Sequence, residues 1–240
     1  MPSFPNRAMI KYSKIRSARF INRPNRFIAK VLLDGKEETV HVKNTGRCQE
    51  LLIPGCDVIL YESDNPLRKT KYDLVAVYKK RDGKTPLLIN MDSQIPNDVA
   101  EEWLKKGLLF SENATIRREV TFENSRFDFC VEDGAVKAFV EVKGVTLETD
   151  GVAMFPDAPT DRGVKHVREL IAAAEQGYGA YILFVIQMKE ITALRPNDRT
   201  HKAFGDALRE AREKGVRILA IDCNVTEDSI EADNDIKIEL

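Results

Sequence analysis

The 240-residue chain has only four cysteines, Cys48, Cys56, Cys130 and Cys223, and no pair is spaced as CxxC. That excludes a disulfide framework and a zinc ribbon, and makes a reducing cytoplasm the expected compartment. No run of 18 apolar residues occurs, so no membrane-spanning helix is expected. The N-terminus lacks the apolar stretch of a secretory signal; residues 1–30 instead carry eight basic side chains and no acidic one. There is one tryptophan, no internal repeat and no low-complexity tract. What is present is 43% apolar against 31% charged residues, enough to build a core and wrong for a disordered chain.

A formal net charge of −1 conceals a polarity along the chain. Residues 1–90 hold eighteen basic and nine acidic side chains, a balance of +9, and the other 150 residues carry −10. A basic segment of this kind is either a solvated face or a surface for phosphates. Arg16, Arg19, Arg23, Arg26 and Lys30 are interleaved with Phe20 and Phe27. Such a set can track a nucleic-acid backbone while aromatics stack on bases, although both phenylalanines are expected in the core. Asn44-Thr45-Gly46 with Arg47 reads as turn chemistry that can also bring backbone amides to an anion.

The first ninety residues read as strands. Two extended runs flank Asp34-Gly35 in RFIAKVLLDGKEETVHVKN, a hairpin signal, and CDVILYESD and KYDLVAVYKK follow. A small barrel over residues 1–88 is expected; an OB-like barrel is one candidate, and strand spacing alone does not separate it from an SH3-like one. Beyond it, residues 89–240 read as a mixed α/β domain. A helix around NDVAEEWLKKG has a capping-box pattern at Asp98 and Glu101, and Trp103 serves it as a packing residue. The strands TIRREVTFE, RFDFCVE and VKAFVEVKG come next, the last two turning at Asp133-Gly134. A helix over 161–176, the buried strand AYILFVIQM, a helix over 198–214 and the strand VRILAID complete the domain. The acidic tail TEDSIEADNDIKIEL is expected to be peripheral.

One constellation carries chemistry. Glu141 and Lys143 sit two apart on a strand and share a face, and the hairpin lets Asp128 approach Glu141 from the neighbouring strand. Alternation with apolar residues predicts that these charges face away from the core. Two carboxylates, with the Val142 carbonyl, make a hard-oxygen site for Mg²⁺ or Mn²⁺, and Lys143 can hold a water or a phosphate. The bland alternative is a set of solvated charges and cross-strand ion pairs. Further on, FPDAPTDRGVKHVREL places Asp157 in a turn and Lys165, His166 and Glu169 on the following helix, where they can line the same cleft.

The segments SRFDF, VEVKGVTL, FPDAPTDRGVKHVREL and NTG resemble the sugar fermentation stimulation protein A family over nearly the whole chain. The resemblance implies an OB-fold domain followed by a PD-(D/E)XK nuclease-like domain, DNA binding, and a role in regulating sugar metabolism. It gives Asp128, Glu141 and Lys143 the roles of the motif's two acids and lysine. Phe127 stands where the motif often has proline. The acid that the preceding helix often supplies has no plain counterpart; Glu101 and Glu102 lie on that helix, and Glu119, on the next strand, is the favoured candidate. Three readings follow: a protein gripping DNA without sequence preference through Arg16, Arg19, Arg23, Arg26, Lys30, Asn44, Thr45 and Arg47; a Mg²⁺- or Mn²⁺-dependent nuclease; and a nucleotide or small-effector sensor. The sequence leaves the oligomeric state open.

Overall fold

The computed structural model describes residues 9–44, 46–123 and 125–240. The chain forms two compact units. The first takes in residues up to Ile95 together with 187–189 and 223–231; the second comprises 96–186, 190–222 and 232–240.

In the first unit β1 (Ile10–Lys11) pairs antiparallel with Ser229–Ile230. The remaining strands are β2 (Ile15–Asn25), β3 (Ile28–Leu33), β4 (Lys36–Val42), β5 (Asp57–Glu62), β6 (Tyr72–Arg81) and β7 (Lys84–Asn90). β2, β3 and β4 form an antiparallel meander, and β5 lies between β2 and β6. A parallel pairing of β4 with β6, His41 opposite Asp73 and Val42 opposite Leu74, closes the ring. The circuit β2-β3-β4-β6-β5 is a five-stranded OB barrel, one of the two small barrels that the strand spacing leaves open. The Asp34-Gly35 hairpin is realised with φ of 50° and 77°, the left-handed pair that a two-residue turn needs and that glycine adopts without a Cβ penalty. Inward positions of the barrel, among them Ala29, Val31, Val40, Val58, Leu74 and Val77, are fully buried.

Three strands of this unit were not anticipated, the two-residue β1 among them. β2 was read as a basic patch, and β7 contains Pro86. Phe20 is buried, but Phe27 is 46% exposed, against the expectation of two core rings.

The second unit begins with α1 (Ile95–Leu104), followed by β8 (Thr115–Phe122), β9 (Ser125–Asp133) and β10 (Val136–Val145). Next come β11 (Glu148–Thr149), β12 (Val152–Phe155), α2 (Asp161–Glu175), β13 (Gly179–Ile186), β14 (Ala193–Pro196) and α3 (Asp198–Glu213). β15 (Arg217–Val225), β16 (Ser229–Asp235) and β17 (Lys237–Ile238) end the chain. The main sheet runs β16-β15-β13-β10-β9-β8. β10, β13 and β15 are mutually parallel, and α2 and α3 lie on their crossover connections, as parallel neighbours require. β13 is apolar nearly end to end because it has strands on both sides and lies in the core. A second small sheet, β11-β12-β14-β17, was not foreseen.

Two expectations are corrected here. The acidic tail is not peripheral: β16 and β17 belong to sheets, and Ile230 and Ala232 are buried beneath the charges that hid them. Nor do Asp98 and Glu101 form a capping box. The helix starts at Ile95, one turn earlier, with Pro96 in its first turn, where a missing N–H costs nothing. Asp98 and Glu101 both bind Arg118 instead.

Candidate metal centre

The site grows out of the end of a strand ladder. β9 and β10 are paired from Val136–Asp133 to Val140–Phe129. One step further, the Val142 N–H finds no β9 carbonyl and donates instead to Asp128 Oδ2 at 2.7 Å. The other Asp128 oxygen accepts from the Asn97 side-chain amide on α1 at 2.9 Å. Asp128 is thus held from both sides at the point where the two strands part.

Glu141 lies on the adjacent segment of β10 and is 2% exposed. This overturns the expectation that the charges face away from the core: α2 covers this side of the sheet and buries His166 against it. Lys143 Nζ, 2.5 Å away, and His166 Nδ1 both donate to the same oxygen, Oε1. On the far side of the ring, Arg162 Nε donates to His166 Nε2 at 3.3 Å. A nitrogen that accepts carries no proton in neutral imidazole, so the proton resides on Nδ1, facing Glu141. The second carboxylate oxygen of Glu141, Oε2, is buried and has no hydrogen-bond partner.

The two carboxylates differ in acidity. Burial, and then the neighbouring Glu141 charge, push Asp128 above the usual carboxylate range, against the opposing pull of Val142, Asn97 and Lys143. Burial acts in the same direction on Glu141, but the hydrogen bond from His166 and the Lys143 ammonium outweigh it and hold that group below its ordinary value. A paired acid that ionises readily beside one that resists ionisation is what two carboxylates produce when they crowd one site and the nearby ammonium pairs with only one of them.

Other predicted residues are placed elsewhere. Glu119 is not a third acid of this centre; it is about half exposed and paired with Arg126 at 2.6 Å. What α1 contributes is an amide, Asn97, which the sequence reading missed because it began the helix too late. Lys165 and His166 part company: His166 turns inward, while Lys165 is exposed and 3.6 Å from Glu169. Asp157 is exposed. Among the described residues no group of three or more His, Cys, Asp or Glu side chains is arranged to hold a metal. Asp128 and Glu141 are the two carboxylates this centre offers.

In the barrel, Arg16 pairs with Asp34, Arg19 with Asp57 and Lys30 with Glu37. Arg23 donates to four main-chain carbonyls, those of Arg26, Asn44, Gly46 and Arg47. The Gly46 N–H is taken by Asn44 Oδ1, so it is not offered to an anion. Thr45 lies outside the described residues. Arg26 and Arg47 are exposed, and among the described residues neither has a carboxylate partner. No helix is long and apolar enough to cross a membrane among those residues.

Comparison with known proteins agrees with this architecture. Residues 21–85 match the SfsA N-terminal OB domain, and residues 94–229 match the Sugar fermentation stimulation protein RE domain. A sugar fermentation stimulation protein homolog of Desulfitobacterium hafniense is 61% identical over 231 residues, 96% of this chain and 99% of that one. One from Clostridium beijerinckii is 56% identical over 92% of this chain and 96% of its own length. The solved structure of Pyrococcus furiosus SfsA in complex with Ca²⁺ superposes with a TM-score of 0.86 at 28% identity, covering 96% of this chain and 98% of that chain. With both domains matched and relatives this similar over nearly its whole length, the chain belongs to the sugar fermentation stimulation protein family.

Proposed function

We propose that the chain binds nucleic acid and that its second unit holds a divalent cation of the Mg²⁺ or Mn²⁺ type at Asp128 and Glu141. The observation that carries this reading is Glu141 Oε2, a buried carboxylate oxygen with nothing bonded to it, beside a second carboxylate crowded enough to resist ionisation. Leaving such an atom bare costs roughly 1–3 kcal/mol or more, so an apolar pocket is no reason for it to exist. Hard oxygen donors suit a hard cation. Asp128, Glu141 and the Val142 carbonyl, which leaves the strand on the same side as its N–H, would hold it. That the Pyrococcus furiosus relative was solved with Ca²⁺ supports a cation of this class.

A bound cation would supply charge neutralisation at a phosphodiester and lower the pKa of a coordinated water. The chain's own groups do the rest. Lys143 is in reach of Glu141 and, with a phosphate present, donates to its oxygen. His166, fixed by Arg162, keeps Glu141 from rotating. Asn97 and the Val142 N–H fix the plane of Asp128.

Calorimetric titration of the apo protein with Mn²⁺, Mg²⁺ and Ca²⁺, beside Glu141→Gln and Asp128→Asn, tests the cation. Binding by the parent and loss in both variants is expected; equal heats from all three would remove the reading. Incubation of DNA and RNA with Mn²⁺ beside Asp128→Ala then tells a nuclease from a protein that grips without cutting.

A further inference from the structure

We infer that the barrel carries a stacking platform for an unpaired nucleobase, built on Phe27 and Arg26, so that single-stranded nucleic acid is its preferred ligand. The inference rests on the nucleic-acid reading above and names the form of the ligand.

One exposed phenylalanine means little by itself. Phe27 is singled out by what surrounds it. It sits in the β2–β3 turn, whose backbone is pinned twice by Asn25: Oδ1 accepts from the N–H groups of both Phe27 and Ile28, at 2.9 and 3.1 Å. The Phe27 carbonyl accepts from the Val42 N–H at 2.8 Å, which joins the turn to the end of β4. Arg23 completes the clamp. Its guanidinium ties the Arg26 carbonyl to those of Asn44, Gly46 and Arg47, and so draws the turn and the following loop to one rim. The ring is therefore held out in water by a stiff frame. A side chain in a loose turn would instead collapse onto the barrel.

The charge on this rim has one sign. Arg23 binds only carbonyls, Arg26 lies over the Phe27 ring at 5.0 Å, and Arg47 is exposed. Among the described residues none of the three has a carboxylate partner. The contrast within the same barrel is sharp, since Arg16, Arg19 and Lys30 are all paired with acids. An exposed aromatic ring on a rim where Arg26 and Arg47 have no carboxylate partner among the described residues matches a base with its phosphates on either side. A duplex keeps its base faces stacked and offers this ring none. That is why the rim favours a single strand.

The test is fluorescence anisotropy with labelled oligo(dT) and with a duplex of equal length, in EDTA, across a salt series. Phe27→Ala should weaken oligo(dT) about tenfold, the order of one lost base stack, leave duplex affinity unchanged, and leave the salt slope unchanged because no charge is removed. Arg26→Ala should flatten the salt slope for oligo(dT) by about 0.7. Phe27→Trp should retain affinity and show fluorescence quenching on addition of oligo(dT). Phe27 is half exposed, so circular dichroism should show Phe27→Ala folded like the parent. Unchanged oligo(dT) binding by Phe27→Ala, or an equal loss on duplex, would overturn the platform. Working in EDTA separates this outcome from the fate of the cation site, because with divalent metal removed the oligo(dT) readout does not depend on whether the parent binds Mn²⁺.

Discussion

Each unit buries a carboxylate among cations, and the two do so differently. In the barrel, Asp73 is 3% exposed and both of its oxygens are used: Oδ1 accepts from His41 and Arg68, Oδ2 from Arg68. In the second unit, Glu141 is equally buried, yet both of its donors converge on Oε1 and Oε2 is left bare. The first arrangement is complete, and the bidentate fork of an arginine is well suited to complete it. The second leaves one buried carboxylate oxygen without a donor, which is the opening the proposed cation would fill. Burial of charge is therefore not by itself a sign of function, nor is a bare oxygen, which Glu50 and Glu169 also have; what sets Glu141 apart is a bare oxygen beside a second buried carboxylate, Asp128.

The largest expected effect breaks the complete cluster. Asp73→Asn should cost about 3 kcal/mol of unfolding free energy, at the lower end for a broken buried pair because Arg68 keeps 28% of its side chain in water. Chemical denaturation measures it, and a loss below about 1 kcal/mol would place this cluster with ordinary surface pairs. The same residue sets an acid limb. Burial would raise the Asp73 pKa, but Arg68 and His41 hold it below the usual value of 3.8. The folded pKa lies under the unfolded one, so the contribution is present above about pH 4 and vanishes as pH falls through the folded value. The parent should lose stability on acidification below about pH 4 more steeply than Asp73→Asn does; parallel acid limbs would contradict this.

Next in size is the effect of filling the incomplete site. A cation that binds only the folded chain stabilises it by about 2.7 kcal/mol at a hundredfold excess over Kd. Mn²⁺ should raise the unfolding midpoint of the parent and of Asp73→Asn alike, and should leave Glu141→Gln where it was. Stabilisation of Glu141→Gln by the same amount would mean the cation sits elsewhere.

Much of this contrast was legible in the sequence where the signal was local. The alternation in VKAFVEVKG put Glu141 and Lys143 on one face, and Asp133-Gly134 announced the hairpin that brings Asp128 near. A small barrel could be expected from Asp34-Gly35 and three apolar runs; its OB circuit depends on the β4–β6 pairing, which no local signal announces. What failed depended on distant partners. The same alternation was taken to send Glu141 to solvent, because nothing in the β10 sequence says that α2 will cover that face. IRSARFINRPN reads as a basic patch, since only Ala18 and Phe20 are buried and three arginines are spread along the strand among them and the partly exposed Ile15 and Ile21. In SIEADND the acids on the open face masked Ile230 and Ala232. Asn97 was missed through a boundary error. Pro96 was the available signal: a proline in the first turn places the helix start before it, and so puts Asn97 inside the helix rather than ahead of its cap.

The smallest predicted effect tests whether that amide belongs to the structure or to the site. Asn97 gives Asp128 one hydrogen bond, and Val142 gives it another from the main chain. Asn97→Ala should therefore cost only about 1 kcal/mol of stability, the net worth of one such bond. Its effect on the cation should be the larger one in relative terms, because a freed Oδ1 lets the carboxylate turn away from Glu141. A tenfold drop in Mn²⁺ affinity by calorimetry is expected, well short of the loss in Glu141→Gln. Unchanged affinity would show that the Val142 N–H alone orients Asp128, and would confine Asn97 to packing α1 against the sheet. The outcome bears on the comparison directly. In the barrel, the partners of the buried acid only hold it in place; in the second unit, they should also decide how well it binds what is added.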